Sequence, residues 1–537
     1  MRKSSGYTMV LFLAFIASVL LAGFSLYDNG TVAAERIRMQ NTTDATVYST
    51  VNVISRDMNF IAYTNRSMVA NQVAIGQMVG LSSWTHMLDT AVSNLDKVMS
   101  IIGVIPVIGQ ALKAATTAMA KFSAMAKKVV DKSAKLGITA TDILIGVLSK
   151  AQIAFQGGTV AMAMSTYNDV AKANDKDVET NLLVGGATLA KVLQSWDKNV
   201  QLNHDPKTGN KTKVKAVRER FQEFADVVQS SRDPFSQNRS YFWFKWTTLL
   251  NIIILKNKMS IQKKGGTDFM EIESAKGGGF GGAGKKLKWE WTAMDNVSIW
   301  HYAQWWGKCG KWNPIPCKKD STNEILPVGW GAGHALADNK KFYNYSKYKP
   351  FKKKWNWNEW AWSKPPKGQY QNFHEQGHQG KLRKWEHWGD GEYAWKNKWS
   401  NGIAALTDGN NNLKNIKGLR TFFDLKSNTK KDTGPNMVAL LNKKTKKIRV
   451  QETLDKTDAK YNRPDLFKIE KDGGIVNDTL YGVAKAETYF SRPRDLWKRA
   501  DGYREYGNLY NPFWQTRLID TTNKERFAAV FAANLLK

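Results

Sequence analysis

The chain of 537 residues carries 79 Lys plus Arg against 47 Asp plus Glu, a formal net charge of +32, with 42% hydrophobic residues. That much apolar material excludes a disordered tail, and the length excludes a single small domain: two to four folding units with buried cores are expected. With only two cysteines, Cys309 and Cys317, a disulfide-dense scaffold and a cysteine-rich metal site are excluded as well.

Charge and tryptophan divide the chain unevenly. The first 240 residues hold 26 basic and 18 acidic residues and the remainder 53 and 29, while 17 of the 21 Trp fall between Trp243 and Trp399. Any electrostatic partner is therefore expected to meet the second half.

Arg2 and Lys3 precede an uncharged run from Thr8 to Tyr27, rich in Val, Leu, Ile, Phe and Ala. Twenty residues at about 1.5 Å per residue span about 30 Å, the thickness of a bilayer's hydrocarbon core. A signal peptide has a shorter apolar core of about 7–15 residues. The only small-residue exit, Val32-Ala33-Ala34, lies well past the run. The sequence thus predicts an uncleaved anchor with a cytoplasmic N-terminus by the positive-inside rule. Everything from Asp28 onward would lie outside the cytoplasm, where a short Cys309–Cys317 disulfide loop is favoured. Nucleotide-dependent chemistry is not expected there, and no phosphate-loop or dinucleotide fingerprint occurs.

From Asn41 to Met78 apolar residues recur in steps of three and four, among them Val47, Val51, Ile54, Met58, Ile61 and Met68, predicting a long amphipathic helix. Val98–Leu112, uncharged but broken by Gly103, Pro106 and Gly109, reads as a buried helical-hairpin corner. Helical patterns follow over Ala111–Val130, Thr139–Tyr167, Asp177–Trp196 and Lys213–Ser230.

The texture changes at Ser231–Asn238. Tyr241–Leu255 and Leu287–Trp300 are aromatic and β-branched enough for strands, separated by the glycine-rich loop Gly277–Gly284. Met437–Leu441, a polar turn Asn442–Lys446 and Lys447–Val450 predict a hairpin. Asn339–Asn401, with Trp355, Trp357, Trp360 and Trp362 among lysines, reads as a long insertion between strands. The expected fold class is α+β: an anchor over 1–27, a helical stalk domain over 28–232, and a β-rich extracytoplasmic head with a Trp/Lys-rich insertion over 233–537.

The N-terminal pattern runs Arg2-Lys3, Gly6, an apolar run, Gly30, then Arg36-Ile37-Arg38-Met39-Gln40-Asn41 with Asp44-Ala45. It resembles the TadE/TadG-like proteins of bacterial Tad (Flp) pilus assembly over about the first 80 residues. Gly6, Gly30, Arg36, Gln40, Asn41 and Asp44 carry the likeness; Thr42 and Thr43 stand where the family has two alanines. Fainter echoes are Lys264-Gly265-Gly266-Thr267, Trp291-Thr292-Ala293-Met294-Asp295, Tyr489-Phe490-Ser491-Arg492-Pro493 and Asn508–Trp514. Processed pilins have Glu as the fifth residue after the cleavage-site Gly, and counted from Gly6 that residue is Leu11, so the chain is expected to keep Arg2 and Lys3. The Asp-x-Ser-x-Ser metal motif of larger members is absent from the sequence.

The resemblance implies a non-catalytic, membrane-anchored component of a pilus-assembly or secretion system in the bacterial inner membrane. It would contact pilin or assembly subunits through its N-terminal helix, with small residues Ala14, Ala17, Ser18, Ala22 and Gly23 permitting close approach. No cofactor and no catalytic residue is expected. A second reading is an anchored adhesin or polyanion-binding protein, with Lys352, Lys353, Lys354, Trp355 and Trp357 binding DNA or acidic polysaccharide. A third is zinc hydrolysis at His374-Glu375-Gln376-Gly377-His378, whose His-Glu-x-x-His string fits two ligands one turn apart. Gly377, Gly380 and the nearby Pro365 and Pro366 disfavour the helix which that chemistry requires.

Overall fold

The computed structural model describes residues 5–102, 108–180, 193–203, 211–237, 239, 241–247, 255–273, 287–308, 316–337, 355–356, 361–362, 412–426, 432–444, 447–448, 475–476, 479–493 and 505–535. Helices and antiparallel sheets are both present, as expected for α+β. Among the described residues the helices are α1 (Ser5–Ile102), α2 (Ile108–Asn174), α3 (Lys211–Ser230), the single turn α4 (Pro234–Gln237) and α5 (Asn523–Leu535), and residues 193–199 are helical as well. The strands are β1 (Val200–Asn203), β2 (Tyr241–Thr247), β3 (Leu255–Glu273), β4 (Leu287–Lys308), β5 (Pro316–Ala335), β6 (Trp355–Asn356), β7 (Ala361–Trp362), β8 (Phe422–Leu425), β9 (Thr433–Lys444), β10 (Ile475–Val476), β11 (Thr479–Phe490) and β12 (Trp514–Ile519).

The anchor run and the amphipathic stretch expected after it are one continuous helix of 98 residues. Likewise Ala111–Val130 and Thr139–Tyr167 merge into α2, whose 67 residues absorb Gly137, Gly157 and Gly158. The helix expected over Asp177–Trp196 is a correction at its start. α2 stops at Asn174, the Asp175 side chain accepts the Asp177 amide at 3.0 Å, and the Glu179 amide bonds the Asn442 carbonyl at 2.8 Å. An Asp-mediated turn and a bridge to β9 outcompete helical propensity there.

Two compact units emerge: one of residues 1–65, 151–202 and 423–537, the other of 66–150 and 203–422. Each therefore mixes helix and strand from both sides of residue 232, in place of the consecutive stalk and head expected over 28–232 and 233–537.

In the first unit β11 is central, paired antiparallel with β9 along one edge and with β12 and β10. Alternation along β9 turns Met437, Ala439 and Leu441 into one core with Met39, Val47, Val51, Ile54, Met58 and Ile61 of α1. The opposite face gives Leu440, Tyr481 and Val483 to Ala529 of α5. That helix starts on a capping box: the Glu525 amide donates to Thr522 Oγ1 at 3.2 Å, and the Thr522 amide donates to Glu525 Oε2 at 2.9 Å.

The expected hairpin over Met437–Val450 is a second correction. β9 runs on through Asn442, Lys443 and Lys444 and pairs with β11; of the expected return strand, 447–448 are not in a strand and 449–450 lie outside the described residues. The polar residues that read as a turn are held in the strand by tertiary ion pairs: Lys443, 2% exposed, donates to Glu35 at 2.8 Å and to Asp175 at 3.0 Å.

The second unit is a meander, β2–β3–β4–β5, with antiparallel neighbours throughout. β2 begins as expected at Tyr241 and is described to Thr247; residues 248–254 lie outside the described ones, and Leu255 already belongs to β3. Helix residues 66–102 and 108–150 run antiparallel within this unit, joined by Ser82 and His86 to Asp131, Lys127 to Asp89 and Thr116 to Asp96. This agrees with the helical-hairpin reading of Val98–Leu112, whose residues 103–107 lie outside the described ones.

Candidate functional site

Every described side chain from Tyr7 to Tyr27 is exposed, including Phe12, Leu13, Phe15, Val19 and Leu20. The helix is long and apolar enough there to cross a membrane, and none of its most apolar stretch is buried. A stretch of α2 within 113–174 passes the same test while partly buried.

Just past this naked stretch Asp28 and Val32 become buried, and the segment carrying Arg36, Gln40, Asn41 and Asp44 is packed. Gln40 Nε2 donates to Asp44 Oδ1 at 2.8 Å and to the Val483 carbonyl of β11 at 3.1 Å. Arg38 Nε lies 3.7 Å from Asp175 Oδ2, and Glu35 accepts from Lys443. Burial pushes Asp175 upward, but the Asp177 amide, Lys443 and Arg38 outweigh it and hold the carboxyl below its usual range. Arg36 is half-buried and Asn41 exposed. Gly6 is helical, and Gly30 faces open space, so packing within the chain does not require a glycine at 30.

Thr42 and Thr43, which replace alanines of the resembled pattern, are buried against the sheet. Threonine hydroxyls along this face bond back into the helix: Thr43 donates to the Met39 carbonyl at 2.7 Å, Thr46 to the Thr42 carbonyl at 2.7 Å and Thr50 to the Thr46 carbonyl at 2.7 Å. Gly482 of β11 makes the approach feasible, since a Cβ there would clash with Thr43 Oγ1.

The fainter echoes meet in pairs. Tyr489–Pro493 and Asn508–Trp514 join in the first unit, where Phe490 stacks edge-on against Trp514 at 5.6 Å and the Ser491 amide donates to the Phe513 carbonyl at 3.0 Å. Gly265 pairs with Asp295, and Thr267 with Ala293, on β3 and β4 of the second unit.

Around Asp295 lies an ion cluster that sequence reading missed. The carboxylate, 0% exposed, accepts from Arg239 Nε at 2.9 Å and Nη2 at 2.8 Å, from Ser83 Oγ at 2.7 Å, and from Lys263. Burial pushes Asp295 up, and the Arg239 and Lys263 charges overcome it and hold it low. Burial pulls Lys263 down to about 8, with Asp295 opposing and Arg239 assisting. Gly265 and Gly80 leave the room that this cluster fills. Completely enclosed, it ties α1, β3, β4 and the entry to β2 together and offers no access to a substrate.

Three glycines on one face of β5 complete the picture. At Gly329, Gly331 and Gly333 a Cβ would run into backbone or side-chain atoms of α1 between Val79 and Ala91. Their period of two is visible in the sequence.

Among the described residues no group of three or more His, Cys, Asp or Glu is arranged to hold a metal ion. His374, Glu375 and His378 lie outside the described residues, as do Lys352, Lys353, Lys354 and Trp357. Trp355 is in β6, opposite Trp362 of β7. Cys317, on β5, is disulfide-bonded; Cys309 lies outside the described residues. At the β4–β5 end, Lys318 Nζ sits 5.6 Å above the ring of Trp306, which is 48% exposed.

No family model, curated protein or solved structure matches the chain.

Proposed function

We propose that this chain is a membrane-anchored, non-catalytic component of a Tad/Flp-type pilus-assembly or secretion apparatus. Its N-terminus would be cytoplasmic and its folded units outside the inner membrane. The observation that carries the reading is the continuity of α1: a bare apolar stretch over 7–27 runs without a break into the Glu35–Asp44 segment that docks on β9 and β11. An apolar helix rigidly joined to a folded body suits lateral packing against similar helices in the bilayer. Photo-crosslinking from Phe12, Phe15 or Val19 in cells tests it. Adducts with pilin or assembly subunits are expected, and adducts with lipid alone from all three positions contradict it.

The polyanion reading is supported by Trp306 with Lys318 and by exposed Lys319 beside them, an aromatic face flanked by cations. Binding of the full chain to heparin or DNA would weaken steeply with salt as counterions are released. Binding indifferent to salt, or absent at low salt, removes that reading.

A further inference from the structure

The folding of the second unit leaves one surface of α2 unexplained. Ala134, Ile138 and Ile145 are buried on its inner side, where Asp131 is bonded by Ser82 and His86. The outer side carries a second apolar stripe: Phe122 is 71% exposed, Val129 63%, Leu136 75% and Ile143 60%. These four follow one another at intervals of seven residues, and Met119, Ala126, Ser133, Ala140 and Val147 fall at the intervening heptad positions. A helix needs one apolar stripe to fold onto its own unit; a second stripe on the opposite side, in a repeat of seven, is the pattern of pairing with another helix. Over about 40 Å it is larger than the scattered apolar residues a monomer's surface normally shows.

We propose that the outer face of α2 from Met119 to Val147 is a helix-pairing seam occupied by the same face of a second copy of this chain. Two properties select a copy over another helix. First, large and small layers alternate: Phe122, Val129, Leu136 and Ile143 interleave with Ala126, Ser133 and Ala140. An antiparallel mate sets Phe122, Val129 and Leu136 against Ala140, Ser133 and Ala126, with Ile143 meeting Met119 at the ends, so the seam is complementary to itself about a two-fold axis. Second, the positions flanking the seam, Ser123, Met125, Val130, Lys132, Thr139 and Leu144, include one charge only. Lys121, Lys128 and Lys135 stand one row further out, so a copy meets almost no like charge across the seam.

The test is the mass of the detergent-solubilised full chain at tens of micromolar, by sedimentation or light scattering, with helix content checked by circular dichroism. The wild type is expected to be dimeric, Leu136→Met to remain so, and Leu136→Glu to dissociate about tenfold or more readily at unchanged helix content, because a buried carboxylate without a partner costs more than the 1.4 kcal/mol that tenfold represents. A monomeric wild type overturns the proposal. So does a dimer indifferent to Leu136→Glu, which would assign the association to the anchor helix instead. Neither result depends on whether the chain serves a pilus.

Discussion

The side-chain amide of Asn59 grips the backbone of Trp514 from both ends, its Nδ2 donating to the Trp514 carbonyl at 2.8 Å and its Oδ1 accepting the Trp514 amide at 2.9 Å. Helix α1 and strand β12, far apart in sequence, are thereby fixed in register. Asn59→Leu leaves both backbone groups without this partner and is expected to lower stability by roughly 2–3 kcal/mol. The urea midpoint measures it; a midpoint within error of wild type would show that water replaces the amide.

Asp295→Asn removes the carboxylate charge that Arg239 and Lys263 share. Breaking this enclosed charge balance is expected to cost roughly 3–5 kcal/mol, read by denaturant unfolding. Ser83→Ala, which removes one donor and no charge, should cost about 1 kcal/mol. Equal losses for the two variants would show that hydrogen bonding, not charge balance, organises the cluster.

Glycines 331 and 307 make a matched pair. A Cβ at 331 would overlap backbone atoms of Ser83 and Met87, whereas at 307 it would meet the flexible end of Lys319 at 3.2 Å. Gly331→Ala is expected to destabilise by about 1–3 kcal/mol and Gly307→Ala by much less. Thermal unfolding of the two variants side by side checks the order.

Asp57 is enclosed in the first unit, and burial pushes its carboxyl from 3.8 up to about 7, with Thr159 opposing weakly. Between those values the folded chain keeps a proton that the unfolded chain has released. The stabilisation is therefore full below about pH 4 and is lost as pH rises through about 7. Relative to Asp57→Asn, the wild type should lose stability steadily between pH 4 and 7, by an amount on the order of 4 kcal/mol. Parallel pH profiles for the two proteins would mean that Asp57 is solvated when folded.

Local pattern carried the helical half well, because runs such as Val47 to Ile61 show the helical period whether or not their partners are known. It could not show that Thr42, Thr43, Thr46 and Thr50 also face inward, since threonines that bond their own helix look, in sequence, like a solvated face. The hairpin over Met437–Val450 failed for a non-local reason: Asn442 and Lys443 have turn composition, but Glu35 and Asp175, hundreds of positions earlier, hold Lys443 in the strand. The Asp295 cluster was illegible for the same reason, its four members being contributed by α1, the segment before β2, β3 and β4. The alternation of Gly329, Gly331 and Gly333 is legible in the sequence, but the face of α1 that covers it is remote along the chain and is not.

In the proposed topology the bare stretch of α1 over 7–27 holds the chain in a membrane with its folded units on the non-cytoplasmic side. Protease accessibility of the full chain in intact spheroplasts, combined with alkaline extraction of the membranes, tests this most directly. The chain is expected to stay in the membrane pellet after extraction, with everything beyond Asp28 digested from outside. Val19→Lys is expected to be partly released, since a lysine at mid-helix costs roughly 2.5–3.5 kcal/mol of insertion. A full-length chain recovered in the soluble fraction, or folded units protected until the membrane is breached, would contradict it.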